Sequence, residues 1–164
     1  MPSQRFRRGR QRIAVVLNDL DAAGAARAAV EQATCLDPAE FQVEIANLEL
    51  SASTSRELRL LPHVPVRRPG LAGFARWLRE FAPDLVHAHL AHATVACRVA
   101  APFCGHPALV ASCHELSDWR EHRHQPLQLL ARAALHHYDM VLAVSEAVQA
   151  AIVAHDAGLA ARTR

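Results

Sequence analysis

Lysine is absent: all 18 basic side chains of this 164-residue sequence are arginine. That removes Schiff-base chemistry and the phosphate-cradling lysine of a P-loop. Aromatic residues are scarce, at 5%. Without a basic face interleaved with aromatics, nucleic acid is disfavoured as a partner. The four cysteines, Cys35, Cys97, Cys104 and Cys113, form no C-x-x-C pair and have apolar or small neighbours, so buried, reduced thiols in a cytosolic protein are expected. No apolar run approaches the roughly 20 residues that a membrane span needs. The arginine-rich start leads only into Ile13 to Leu17, too short for the apolar core of a secretory signal. A soluble, cytoplasmic protein is the expectation.

What is present is apolar and unevenly charged. The 51% hydrophobic content suits one domain of ordinary size, burying roughly 70% of its unfolded surface. Arg5, Arg7, Arg8, Arg10 and Arg12 precede the first apolar run with no acid among them, and residues 13–164 carry a net charge of −3. Residues 1–12 are read as a basic, flexible tail, and residues 13–164 as the folded domain. Attraction of the tail to anionic lipid or phosphorylated partners is the other reading. Eleven histidines invite a metal hypothesis through His87-x-His89, His122-x-His124 and His136-His137. No H-E-x-x-H or Cys/His pattern supplies a third ligand, so no metal is expected.

Strand and helix patterns alternate. Arg12 to Leu17 reads as a buried strand, Gly24 to Cys35 as a helix closed by Asp37-Pro38, and Phe41, Val43 and Ile45 as a second strand. A small strand is expected at Val64 to Val66. Leu71, Phe74, Leu78 and Phe81 share one face of a helix that Pro83 ends. Strands at Leu85 to His87, Leu109 to Cys113 and Met140 to Val144, and helices at Ala91 to Phe103, Gln125 to His136 and Glu146 to His155, complete the series. This order predicts an α/β fold, a doubly wound, mostly parallel sheet flanked by helices. Parallel strands bring their carboxyl ends to one edge, where such folds bind ligands. Here those ends are polar: His87-Ala88-His89, Ser112-Cys113-His114-Glu115 and Val144-Ser145-Glu146.

The order of Asn18-Asp19-Leu20-Asp21-Ala22-Ala23-Gly24-Ala25-Ala26-Arg27, Pro83-Asp84-Leu85-Val86-His87-Ala88-His89, Ser112-Cys113-His114-Glu115 and Val144-Ser145-Glu146-Ala147-Val148 resembles the amino-terminal domain of family 4 glycosyltransferases. The resemblance covers nearly all of the chain after the basic tail. It implies a Rossmann-like domain, one half of a GT-B architecture, in a retaining enzyme that moves a sugar from a nucleotide-sugar donor to a glycan, lipid or small-molecule acceptor. The chain would be the acceptor-side half. The donor-binding domain, expected to be absent and supplied in cis or trans, would hold most of the nucleotide sugar. That sugar is a substrate, and no cofactor is implied.

By the same resemblance His114 would lie near the transferred sugar, as the catalytic residue, rather than being a strand-end histidine satisfied by backbone, and Glu115 would border the acceptor pocket. Gly24 either leaves the N–H groups of the following helix open toward an anionic oxygen or is a simple helix-start glycine, and Arg27 reaches the same region or lies on a solvated helix face. His87 and His89 fall on one side of a strand end, in contact with acceptor or in packing. Ser145 is a substrate candidate for which helix capping is the favoured role. His92, His122, His124, His136 and His137 read as surface or helix-face residues.

Two features depart from the family pattern. Gly24 is followed by Ala25 where a Gly-Gly pair is common, so an altered turn is expected. The arginine, lysine and paired glutamates of the donor domain have no counterpart here. Arg67, Arg68, Arg76 and Arg79 around Phe74 and Trp77 raise peripheral contact with an anionic membrane at the inner face of the cell membrane, against a helix packed on the sheet. The competing function is a non-catalytic sugar- or protein-binding module. A flavodoxin-like regulator or flavoprotein is disfavoured by the lack of a phosphate-binding loop or a phospho-acceptor aspartate.

Overall fold

The computed structural model describes residues 9–20, 23–48, 64–116, 119 and 125–164. Arg5, Arg7 and Arg8 of the tail, Asp21 and Ala22 of the first motif, and His122 and His124 lie outside the described residues. Six strands, β1 (Gln11–Leu17), β2 (Phe41–Asn47), β3 (Val66–Arg67), β4 (Leu85–His89), β5 (Ala108–Cys113) and β6 (Met140–Ala143), form one sheet in the order β3-β2-β1-β4-β5-β6. Every pairing is parallel. The helices are α1 (Ala23–Cys35), α2 (Gly70–Phe81), α3 (Ala91–Ala100), α4 (Pro126–Leu135) and α5 (Glu146–His155). This is a Rossmann-like α/β fold.

Period-2 alternation in β1 feeds two cores. Ala14 and Val16 join Val86 and Ala88 against Phe74, Leu78, Cys97 and Ile152 on one side of the sheet. Val15 and Leu17 join Ile45 against Ala26, Ala29 and Val30 of α1 on the other. Two aspartates finish the sheet's amino-terminal edge. Asp84, just before β4, accepts from the Arg12 N–H of β1 at 2.9 Å, and Asp139, just before β6, accepts from the Leu109 N–H of β5 at 2.8 Å. Each satisfies a strand-start donor on the neighbouring strand.

Boundaries differ from expectation for physical reasons. The edge strand is Val66–Arg67, because Pro65 has no N–H to give and contributes only its carbonyl, to Ile45. α3 stops at Ala100 and tightens into a 3-10 turn, Ala101–Phe103, at Pro102. A second 3-10 segment, Ala157–Arg162, has no apolar periodicity to announce it. Asp156 starts it by accepting from Gly158 N–H, and also pairs with His136 Nε2 at 2.6 Å, while Arg162 donates to the carbonyls of His136 and Tyr138. His136 is therefore a tether for this segment rather than a simple surface residue. The segment delivers Thr163 to a bridge with Val141 on the outer edge of β6. Cys97 and Cys104 are buried and free, whereas Cys35, on the outer side of α1 at its last residue, is exposed.

α2 turns its aromatic face inward. Phe74, Leu78 and Phe81 are buried, Trp77 stacks on Phe81 with centroids 5.6 Å apart, and Leu71 is left exposed. Arg76 and Arg79 are exposed, and Arg67 is held by Glu44 of β2. Among the described residues no helix is long and apolar enough to cross a membrane.

Candidate functional site

The sheet order reverses between β1 and β4, so the chain leaves these two strands in opposite directions and opens a crevice at their carboxyl ends. Asn18, immediately after β1, spans it. Its Oδ1 accepts from the Ala93 N–H at 2.8 Å and its Nδ2 lies 3.4 Å from His92 Nδ1. The β1 tip thereby caps α3, whose own preceding residue offers no side-chain cap. That residue, Leu90, has φ 71° and ψ 166°, a region otherwise used almost only by glycine, and such backbone outliers concentrate at functional sites. Sequence reasoning missed the cap; its only signal was an asparagine at a strand tip.

One strand further along, β4 and β5 bring three histidines together. Register places His87 beside Val110 and His89 beside Ser112. His87 Nε2 is 2.8 Å from Ser112 Oγ, and His89 Nδ1 is 3.0 Å from His114 Nε2. The His87 and His89 rings lie 4.2 Å apart, those of His89 and His114 5.3 Å. His89 is fully buried and its Nε2 has no hydrogen-bond partner. Its hydrogen-bonded partner, His114, is partly exposed.

Burial sets the charge state of this cluster. It lowers the His87 pKa from 6.5 to about 4, with His114 adding to the effect. It lowers His89 to about 2, with His87 and His114 adding. His114 is also lowered by burial, against an opposing pull from Glu115. Near neutral pH all three are uncharged imidazoles that pack together without repelling one another, with one hydrogen bond between His89 and His114 and one between His87 and Ser112. Among the described residues no group of three or more His, Cys, Asp or Glu side chains could hold a metal ion.

The remaining candidates are spread along the same edge. Gly24 and Arg27 lie in the first turns of α1, and Arg27 Nε pairs with Glu31 at 2.8 Å on an exposed face. Ala25, expected to alter the turn, is an ordinary buried helical residue. Glu115 is exposed beside His114. Ser145 caps α5, accepting from the Val148 N–H at 3.3 Å. A cavity of about 30 Å³, lined by Leu90, Cys113, His114, Trp119 and Arg132 among others, has room for one or two waters.

The family model for Glycosyltransferase Family 4 matches residues 22–161. The chain belongs to that family. Solved structures agree with the fold of this family 4 domain. Anabaena HepE, in complex with UDP and glucose, is 20% identical with a TM-score of 0.75, over 93% of this chain and 43% of its own. The lipopolysaccharide outer core galactosyltransferase WaaB, in its apo form, is 14% identical with a TM-score of 0.66, over 94% and 44%. A putative UDP-N-acetylglucosamine 2-epimerase from Listeria monocytogenes is 13% identical with a TM-score of 0.63. This chain thus spans less than half the length of these three structures. No curated protein matches it.

Proposed function

We propose that this family 4 domain is the acceptor-side half of a retaining glycosyltransferase. It would hold a sugar acceptor at the carboxyl edge of β1, β4 and β5 while a donor-binding domain, in cis or trans, presents a nucleotide sugar. Family membership supports the reaction class, and HepE was solved with UDP and glucose. The observation that supports the site is His114, which follows β5 one strand from the switch point and is tied at 3.0 Å to a fully buried His89. A neutral imidazole held in this way can hydrogen-bond a sugar hydroxyl at the reacting centre. The protein's share of the chemistry is then positioning and electrostatics, with the departing diphosphate assisting removal of the acceptor proton.

The test joins residues 1–164 to a family 4 donor-binding domain and follows sugar transfer. His114→Ala should lower kcat on the order of tenfold to a thousandfold and leave nucleotide binding nearly unchanged. His137→Ala, on an exposed turn after α4, should be silent. Equal effects from the two would refute the site. A product with inverted anomeric configuration would refute the retaining assignment, and acceptor binding without transfer would favour a binding module.

A further inference from the structure

We propose that His89 is a positioning residue that donates its Nδ1–H to Nε2 of His114, fixing His114 as the neutral Nδ1–H tautomer. The separation of 3.0 Å accommodates one proton between the two nitrogens, so two arrangements compete. If His114 donated, His89 would carry its own proton on Nε2, as an N–H donor in a fully buried residue with nothing to accept it. If His89 donates, Nε2 is left as a bare nitrogen. Orphaned buried N–H groups are rarer than under-satisfied acceptors, so the second arrangement prevails.

The titratable groups facing the pair do not change this order. His87 lies against His89 from β4 and spends its Nε2 on Ser112. Glu115 raises the His114 pKa without reversing its net lowering. Protonating His114 on Nε2 would force His89 to accept there and to move its own proton onto the orphan Nε2. The pairing therefore opposes an imidazolium in the site.

The consequence for catalysis rests on the reading of His114 given above. With Nε2 occupied and Nδ1 already protonated, His114 offers the substrate a hydrogen-bond donor and no basic nitrogen. It can polarise or orient a sugar oxygen, but it cannot take the acceptor's proton.

Tautomers are read directly from two-bond 1H–15N correlation spectra of the 15N-histidine-labelled chain at pH 7, recorded without any sugar nucleotide and assigned with His114→Ala. The outcome is thus independent of whether His114 serves in transfer. Expected are a protonated Nδ1 and a bare Nε2 for both His89 and His114. A His114 proton on Nε2, or averaged tautomers at either residue, overturns the proposal. His89→Asn, which keeps an N–H near the Nδ1 position, should preserve the His114 pattern. His89→Leu should release it into a tautomer mixture that protonates at higher pH, and an unchanged His114 spectrum there also overturns the proposal. If the Leu variant does not fold, the wild-type and Asn spectra decide.

Discussion

Gly24 lies in the first turn of α1, and a methyl group built on it would meet nothing within 4 Å. Packing therefore does not require glycine there, and glycine within a helix is costlier than alanine by roughly 0.5–1 kcal/mol. Gly24→Ala should raise stability by about 0.5 kcal/mol, read from the urea midpoint, because the first turn feels only part of that penalty. If the open backbone receives an anionic oxygen, the same variant should bind acceptor more weakly. Stabilisation with unchanged binding would remove Gly24 from the site. Leu90 is the converse case, since its side chain occupies a backbone conformation in which glycine is the usual residue. Nothing in a leucine code announces that. The strain comes from the abrupt exit of β4 into α3, a property of the assembled crevice.

Between elements, one carboxylate joins three. Glu44 of β2 accepts from Arg67 Nε and Nη2, at 3.0 and 3.2 Å, and from Trp77 Nε1 at 3.1 Å. It thereby ties the two-residue strand β3 and the helix α2 to the sheet. Arg67 is half exposed, so the ion pair itself contributes little. Most of the cost of Glu44→Ala should come from the lost Trp77 hydrogen bond and packing, about 1–2 kcal/mol by urea denaturation. Amide exchange should quicken at Val66 and Arg67 well before the central strands, and a uniform change would contradict this role. Sequence patterns reached the strands, the amphipathic α2 and the Ser145 cap, because these rest on local periodicity and turn chemistry. The same patterns placed His87, His89 and His114 at strand ends. They could not order them, because which histidine is buried behind which depends on the register of β4 against β5. The Asn18 cap and the Asp156–His136 tether escaped notice because their partners lie 75 and 20 residues away.

Across the whole molecule, the buried imidazoles couple the site to stability. Folding lowers the pKa values of His87 and His89 from 6.5 to about 4 and about 2, chiefly by burial. Between those values and 6.5 the unfolded chain binds more protons than the folded one. Stability from this source is complete above pH 6.5 and drains away as pH falls toward the folded values. By pH 5 the loss should be about 2 kcal/mol for each histidine, from roughly 1.4 kcal/mol per unit of separation. Against a typical total of about 5–15 kcal/mol, that is a visible drop in Tm. His87→Gln keeps a polar group toward Ser112 but cannot titrate, so its Tm should fall less steeply between pH 7 and 5. A His87→Gln profile parallel to that of the wild-type chain would mean that His87 is not held neutral by the fold, and the uncharged cluster behind His114 would lose its basis.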